Sequence, residues 1–372
     1  MAKVFVRKVS KYFFIGLTVL VVLLFLLACL TPYLNPKTWW LIGFIGLTVP
    51  YLIALLILLI LFWLMAKPKV AWVPIITLLL GLQQISVFLS LHIGDDFVQT
   101  KDSASLRVIT WNVQSFNGLS KNRDAKKLVR NEMVESIHKL QADVVCLQEF
   151  NTASAEQANN LALFSKNYPY HFFSQDYTRS KGQYFSGCII FSKYPIVGSN
   201  RMTYPVAESL IYADVIKGTD TIRVYTTHLQ SFKFKKEDYE GLDNMGNTDE
   251  ATMNAKMNVF KKMKLAFKRR GVQADMVRKE IDKSPYPSII CGDFNDVPNS
   301  YTYFHIKGDR QDAFLKEKFG IGRTYIWLSP TLRIDYLLPD KNFEVKQFEL
   351  VDEDLSDHLM LVCDVKLKNQ AQ

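Results

Sequence analysis

At 372 residues the chain has room for one large domain or two ordinary ones, and a formal net charge of +9 would ordinarily point to nucleic acid. The distribution of that charge weakens the inference. Lys3, Arg7, Lys8, Lys11, Lys37, Lys67 and Lys69 all precede the first acidic residue, Asp95, and the remainder is close to neutral. Five cysteines lie in separate apolar segments without C-x-x-C or C-x-H spacing, which excludes a disulfide framework or a cysteine metal site.

Three runs, 13–30, 40–65 and 70–91, are long and apolar enough to cross a bilayer, so residues 1–95 read as a membrane region with three transmembrane helices. Trp39, Trp40, Trp63 and Trp72 stand near the ends of these runs, where amphipathic rings favour the interface. The basic N-terminus and the Lys67/Lys69 turn place both on the cytoplasmic side, with only Lys37 opposing. Three crossings then put everything after residue 91 on the extracytoplasmic side of the cell (inner) membrane. Leu26-Leu27-Ala28-Cys29 resembles a lipoprotein cleavage site, but two further spans follow directly, so retention is the expectation.

From about residue 103 the pattern becomes that of a layered α/β domain extending to 369. A strand over 106–111 ends at Asn112. Val129, Met133, Ile137 and Leu140 recur at helical spacing, and a buried strand over 144–147 then delivers Gln148 and Glu149. Strands follow at 170–173, 186–191 and 204–206. A hairpin over 212–227 turns at 217–220 and exits at His228. Residues 231–247 read as a mobile loop, and a long helix follows whose basic run, 261–270, reads first as a solvated face. A phosphate-rich partner or an anionic bilayer surface are the functional alternatives for that run. Ser288–Asp293 is an apolar strand ending in Asp293, with Asn295 two residues on. Residues 302–304 and 313–319 are helical or loop-like, 324–328 is a further strand, and 332–338 is a strand interrupted by Asp335. Asp357 and His358 precede a final strand.

Nearly every core strand thus ends in, or is broken by, a polar group: Asn112, Glu149, His228, Asp293 with Asn295, Asp335, Asp357 with His358. Carboxylate oxygens suit a hard cation such as Mg²⁺ or Mn²⁺, and an Asp–His pair can hold an imidazolium beside developing negative charge. The segments ITWNVQSF, DVVCLQEF, YTTHLQS, IICGDFNDVP, RIDYLL and LSDHLML resemble, in order, those of the endonuclease/exonuclease/phosphatase superfamily of deoxyribonuclease I type, from residue 106 to the C-terminus.

That resemblance implies a four-layered α/β sandwich, two facing mixed β-sheets flanked by helices, preceded here by the three transmembrane helices. It also implies hydrolysis of a phosphate ester with Mg²⁺ (Mn²⁺ possible). Glu149 matches the main metal ligand, with Asn112 beside it and Asp357 as a further ligand. Asp293 matches the residue that activates the attacking water, Asn295 its phosphate-contacting neighbour, and Asp335 the partner of a phosphate-binding His358. His228 stands where nucleases of this type and sphingomyelinases carry a second histidine. The expected partners are a phosphate-ester substrate, either nucleic acid or a phospholipid headgroup, and the lipid bilayer, with no obligate protein partner evident. A non-catalytic membrane scaffold is the rival from outside the enzyme class.

Overall fold

Apolar sequence without a single acid makes residues up to 88 helical in four pieces. The computed structural model describes residues 2–117, 119, 123–235, 237–238 and 250–368. Helices α1 (Ala2–Ala28) and α2 (Leu41–Ala66) are followed by α3 (Pro68–Leu80) and α4 (Leu82–Phe88). Two of these, α1 over Val9–Ala28 and all of α2, are long and apolar enough to cross a membrane. The third expected span is corrected: α3 and α4 qualify only as a pair bent by 62°. The break falls at Gly81, whose N–H is shared between the Thr77 and Leu78 carbonyls. The Phe25 ring occupies the space where a Cβ would project. Lacking a side chain, glycine holds a helix weakly, and here packing exploits the weakness.

The chain divides into two compact units. The first comprises Met1–Leu89, Phe232–Gly271 and Val297–Phe304. Its core joins Val21, Phe25 and Ala28 to Val49, Leu52, Leu56 and Trp63. Trp63 also donates its indole N–H to Thr18 at 2.9 Å.

The second unit comprises Ser90–Ser231, Val272–Asp296 and His305–Gln372. Its strands in chain order are β1 (Ser90–Leu91), β2 (Leu106–Asn112), β3 (Val144–Ala153), β4 (Tyr170–Phe173), β5 (Tyr177–Arg179), β6 (Tyr184–Ser192) and β7 (Ile196–Thr203). There follow β8 (Ser209–Lys217), β9 (Asp220–His228), β10 (Ser288–Asp293), β11 (Phe319–Gly320), β12 (Asp335–Pro339), β13 (Phe343–Val351) and β14 (Met360–Leu367). One sheet has the order β13-β14-β2-β3-β6-β4, with β5 on β6; the other is β12-β10-β9-β8-β7. Each mixes parallel and antiparallel pairs. Alternation sends Val108, Val144, Cys146 and Ile190 of the first sheet against Val224, Ile289, Cys291 and Leu337 of the second, which form one apolar core. On the outer face of the first sheet, α5 (Arg123–Lys139) and α6 (Asn160–Ser165) pack Met133, Ile137 and Phe164 over Ile109, Val145 and Phe191. On the second sheet's outer face, Tyr225 donates to the Glu280 carbonyl in the later half of α7 (Glu250–Ile281). Helix, sheet, sheet, helix gives the four layers expected.

Two local expectations are corrected, and a third falls largely outside the described residues. Beyond Lys235 the loop expected over 231–247 lies outside the described residues, apart from Glu237 and Asp238. The strand expected at 324–328 is a single bridge, Tyr325 to His358, and the one expected at 204–206 is absent because β7 ends at Thr203. The remaining short helices are α8 (Tyr301–Lys307) and α9 (Ala313–Glu317).

Candidate active site

The site is a consequence of register. Strand β10 runs parallel to β9 and antiparallel to β12, and Asp293 is the register partner of both His228 and Asp335. In the facing sheet β2 runs parallel to β3, pairing Asn112 with Gln148. The ends of parallel neighbours and the start of the antiparallel β12 reach the same rim, so β2, β9, β10 and β12 bring terminal polar residues to one edge of the sandwich and β3 brings Glu149 from within its length. Gly292, at φ +130°, makes the last step possible, since a Cβ there would overlap the Thr227 carbonyl.

Asp293 is buried and fully positioned. Its Oδ2 accepts from Asn112 Nδ2 at 3.0 Å and Asn295 Nδ2 at 3.1 Å, and its Oδ1 accepts the Asn295 N–H at 2.8 Å. The Asn295 amide also donates to the Leu229 carbonyl at 3.0 Å, from a backbone at φ +54°. Asp293 and Asn295 thus face one space through a left-handed turn and not along an extended strand. His228 Nε2 stands 3.4 Å from Asp293 Oδ2, and His358 Nε2 stands 3.8 Å from it. His358 is aimed by Asp335, whose Oδ2 lies 2.9 Å from Nδ1.

Glu149 sits at a β-bulge between Leu147 and Phe150, at φ +52°, with its side chain 38 % exposed. Its Oε1 stands far from its neighbours, 3.5 Å from Asn112 Nδ2 and 3.8 Å from His228 Nε2. Asp357 is held by Gln114 Nε2 at 3.1 Å. All eight expected residues therefore gather on one rim. Among the described residues, Asp293, Asp335 and His358 bring ligand atoms within 4.8 Å of one another.

Charge sets the protonation of this rim. Burial, and then the neighbouring Asp335, push Asp293 up to about 6. Burial alone would lower His358, but Asp335 and Asp293 outweigh it and lift the imidazole to about 10. His228 is raised in the same way, with Glu208, Asp293 and Glu149 overcoming its burial. Asp357 is raised by burial. Two histidines face five acids: Glu149, Glu208, Asp293, Asp335 and Asp357. Asp335 Oδ1 is buried without a hydrogen-bond partner among the described residues, and Glu149 retains unused acceptor capacity. Hard oxygen donors with spare lone pairs and a surplus of negative charge fit a divalent cation.

A model of the Endonuclease/Exonuclease/phosphatase family matches residues 109–358, which span this whole constellation. The chain belongs to that family. It is accordingly a hydrolase acting on phosphate ester bonds. Residues 11–88 match a second model, described as a domain of unknown function (DUF8431). No curated protein matches the chain.

Among solved structures of the Endonuclease/Exonuclease/phosphatase fold, one from Beutenbergia cavernae DSM 12333 is 19% identical, covering 71% of this chain and 72% of its own, with a TM-score of 0.45. The human Nocturnin catalytic domain with bound sulfate is 18% identical over 73% of this chain and 97% of its own, with a TM-score of 0.48. A humanized D. rerio TDP2 is 18% identical over 71% and 99%, also at 0.48.

Residues the motifs did not flag also contact this rim. Glu208 Oε1 lies 3.9 Å from His228 Nδ1, on the side away from Asp293. The hairpin could have revealed it: counting outward from the Lys217–Asp220 turn pairs Leu210 with Thr227, so Glu208 borders His228. Trp111 donates to the His358 carbonyl at 2.8 Å, and Ser356 Oγ donates to the Asn112 carbonyl at 2.8 Å.

Proposed function

We propose that the chain is a membrane-held, divalent-cation-dependent phosphodiesterase with its catalytic part on the extracytoplasmic side. Residues 1–95 hold the membrane helices and the catalytic machinery falls within 103–369. The convergence of Asp293, Asp335 and His358 within 4.8 Å, beside Glu149, Asn112 and His228, carries this reading.

Glu149, with Asn112 beside it and Asp357 across the rim, would hold the Mg²⁺ or Mn²⁺. The chemistry a bound cation supplies there is polarisation of a phosphoryl oxygen and stabilisation of the departing oxygen. Asp293 is the base. Two amide donors fix its Oδ2, and a pKa pushed up to about 6 suits proton acceptance near neutrality. His358, kept protonated by Asp335, faces the negative charge that grows on the phosphoryl oxygens. His228 adds a second positive charge, and Asn295 contacts the phosphate. The water oxygen bonds to phosphorus as the ester P–O bond breaks in line, its proton passing to Asp293, and no covalent enzyme intermediate forms.

Support for the topology comes from within the helical unit. Gln84 in α4 donates to Thr31, in the turn between α1 and α2, at 3.2 Å, and Asn299 donates to Gln84. The bent α3–α4 pair thus returns the chain to the side of the α1–α2 turn. A basic N-terminus on the cytoplasmic side puts that turn outside.

Hydrolysis of plasmid DNA and of a choline phosphodiester by the intact chain in nanodiscs, with and without EDTA, tests the reading. Turnover of one of them, abolished by EDTA and restored by Mg²⁺, is expected. Hydrolysis of neither, or turnover indifferent to EDTA, would overturn it.

A further inference from the structure

The first half of α7, up to Gly271, belongs to the helical unit and packs on the head of α2. Phe260 stacks on Phe44 with ring centroids 5.2 Å apart and meets Trp40 edge-on at 5.6 Å, while Phe267 meets Phe44 at 5.0 Å. Lys264 Nζ lies 4.2 Å over the Trp40 ring. Further along, Asn35 donates to the Gly271 carbonyl at 3.3 Å, and a Cβ on Gly271 would collide with Asn35, Pro36 and Lys37. This stretch of α7 therefore runs beside the α1–α2 turn, where the apolar helices emerge.

Its outer side combines two kinds of group. Met253, Met257, Phe260 and Leu265 are between 38% and 51% exposed. Lys261, Lys264 and Lys268 are interleaved with them, and no acid occurs from Ala251 to Ala274. A solvated helix face would alternate the signs of its charges and leave few large apolar groups in water. On the adjoining turn, Tyr33 and Trp39 are exposed, as in an aromatic belt. Thioether and aliphatic groups among lysines offer little to a polynucleotide, but they match an acyl boundary beneath anionic headgroups.

We infer that the first half of α7 is an interfacial helix whose partner is the anionic headgroup layer of the bilayer. The inference rests on the membrane reading of α1 and α2, and it names the lipid surface they are held in.

The test uses the full chain with Cys29→Ser, labelled at Met257→Cys or, separately, at Leu58→Cys, which is exposed within the apolar length of α2. Nanodiscs of phosphatidylcholine, with or without phosphatidylglycerol, carry nitroxides at the headgroup or mid-chain. Mid-chain quenching of the Leu58 label and headgroup quenching of the Met257 label, stronger with phosphatidylglycerol, are expected. Adding Lys261→Glu and Lys268→Glu should weaken the phosphatidylglycerol-dependent part by roughly fivefold per lysine. An unquenched Leu58 label would remove the membrane reading itself. A quenched Leu58 label with a Met257 label that stays in water would refute the interfacial helix alone. So would a Met257 label that answers duplex DNA and not lipid.

Discussion

Strand β2 begins beside one buried cluster of charge and ends at another, with Arg107 and Asn112 separated by about 17 Å of extended chain. At the first, Arg107 faces its register partner Asp364 through Nε at 2.7 Å and Nη2 at 2.8 Å. Its other N–H groups reach the carbonyls of Gln99, Leu140 and Val98. Five donors meet five acceptors, and Asp143 beside them is met by Lys101 and Lys217. At the far end the balance fails. Acids outnumber histidines, Asp335 Oδ1 has no partner among the described residues, and Glu149 has only long ones. The backbone is left-handed at Gln114, Ser115, Phe116, Glu149, Glu208 and Asn295. Both clusters are buried, so burial alone does not mark a site. Unmet charge does.

The largest effect expected from this contrast is on rate. Asp293→Asn should lower kcat on bis(p-nitrophenyl) phosphate by roughly 10²–10⁴-fold, because the base is gone while the rim is kept. Next is stability at the balanced end. Arg107→Met leaves Asp364 buried without its charge partner and should cost about 3–5 kcal/mol in thermal unfolding, with turnover per folded molecule unchanged. Adding Asp364→Leu should recover most of that loss.

The third effect has the opposite sign. The Asp293 carboxyl has a folded pKa of about 6 against an ordinary 3.8, so its ionised form is penalised by folding. That cost is fully present above pH 6 and absent below about pH 4. In EDTA, Asp293→Asn should therefore stabilise the chain by ~1–3 kcal/mol at pH 7.5, and by nothing at pH 4. Equal melting temperatures at both pH values would mean that the rim stores no such strain.

The smallest is positional. Glu208→Gln removes one of the charges that raise His228, so kcat should fall about tenfold. The alkaline limb of the pH profile should move to lower pH, a shift that a purely packing role for Glu208 would not produce.

The motifs disclosed much of the balance-breaking end, because most of its residues lie at or next to a strand whose apolar run is itself readable. Asn112, Glu149, His228 and Asp293 all follow within a few residues the buried runs 106–111, 144–147, 222–227 and 289–291. What stayed hidden depends on contacts distant in sequence. Glu208 lies in an ordinary loop and acquires meaning only through the β8–β9 register. The break in the third apolar run is invisible in its hydropathy, and the packing of the Phe25 ring against Gly81 comes from another helix. Nor does local pattern show that residues 232–271 and 297–304 join the apolar helices, since that rests on pairs such as Phe44 with Phe260 and Gln84 with Asn299.

Titration of the intact chain with Mn²⁺, followed by the loss of its free-ion electron paramagnetic resonance signal, tests most directly whether the unbalanced rim is a cation site. Tight binding by the parent chain, lost in Glu149→Gln and retained in Arg107→Met, is the expected result. Binding by Glu149→Gln as tight as by the parent would contradict it.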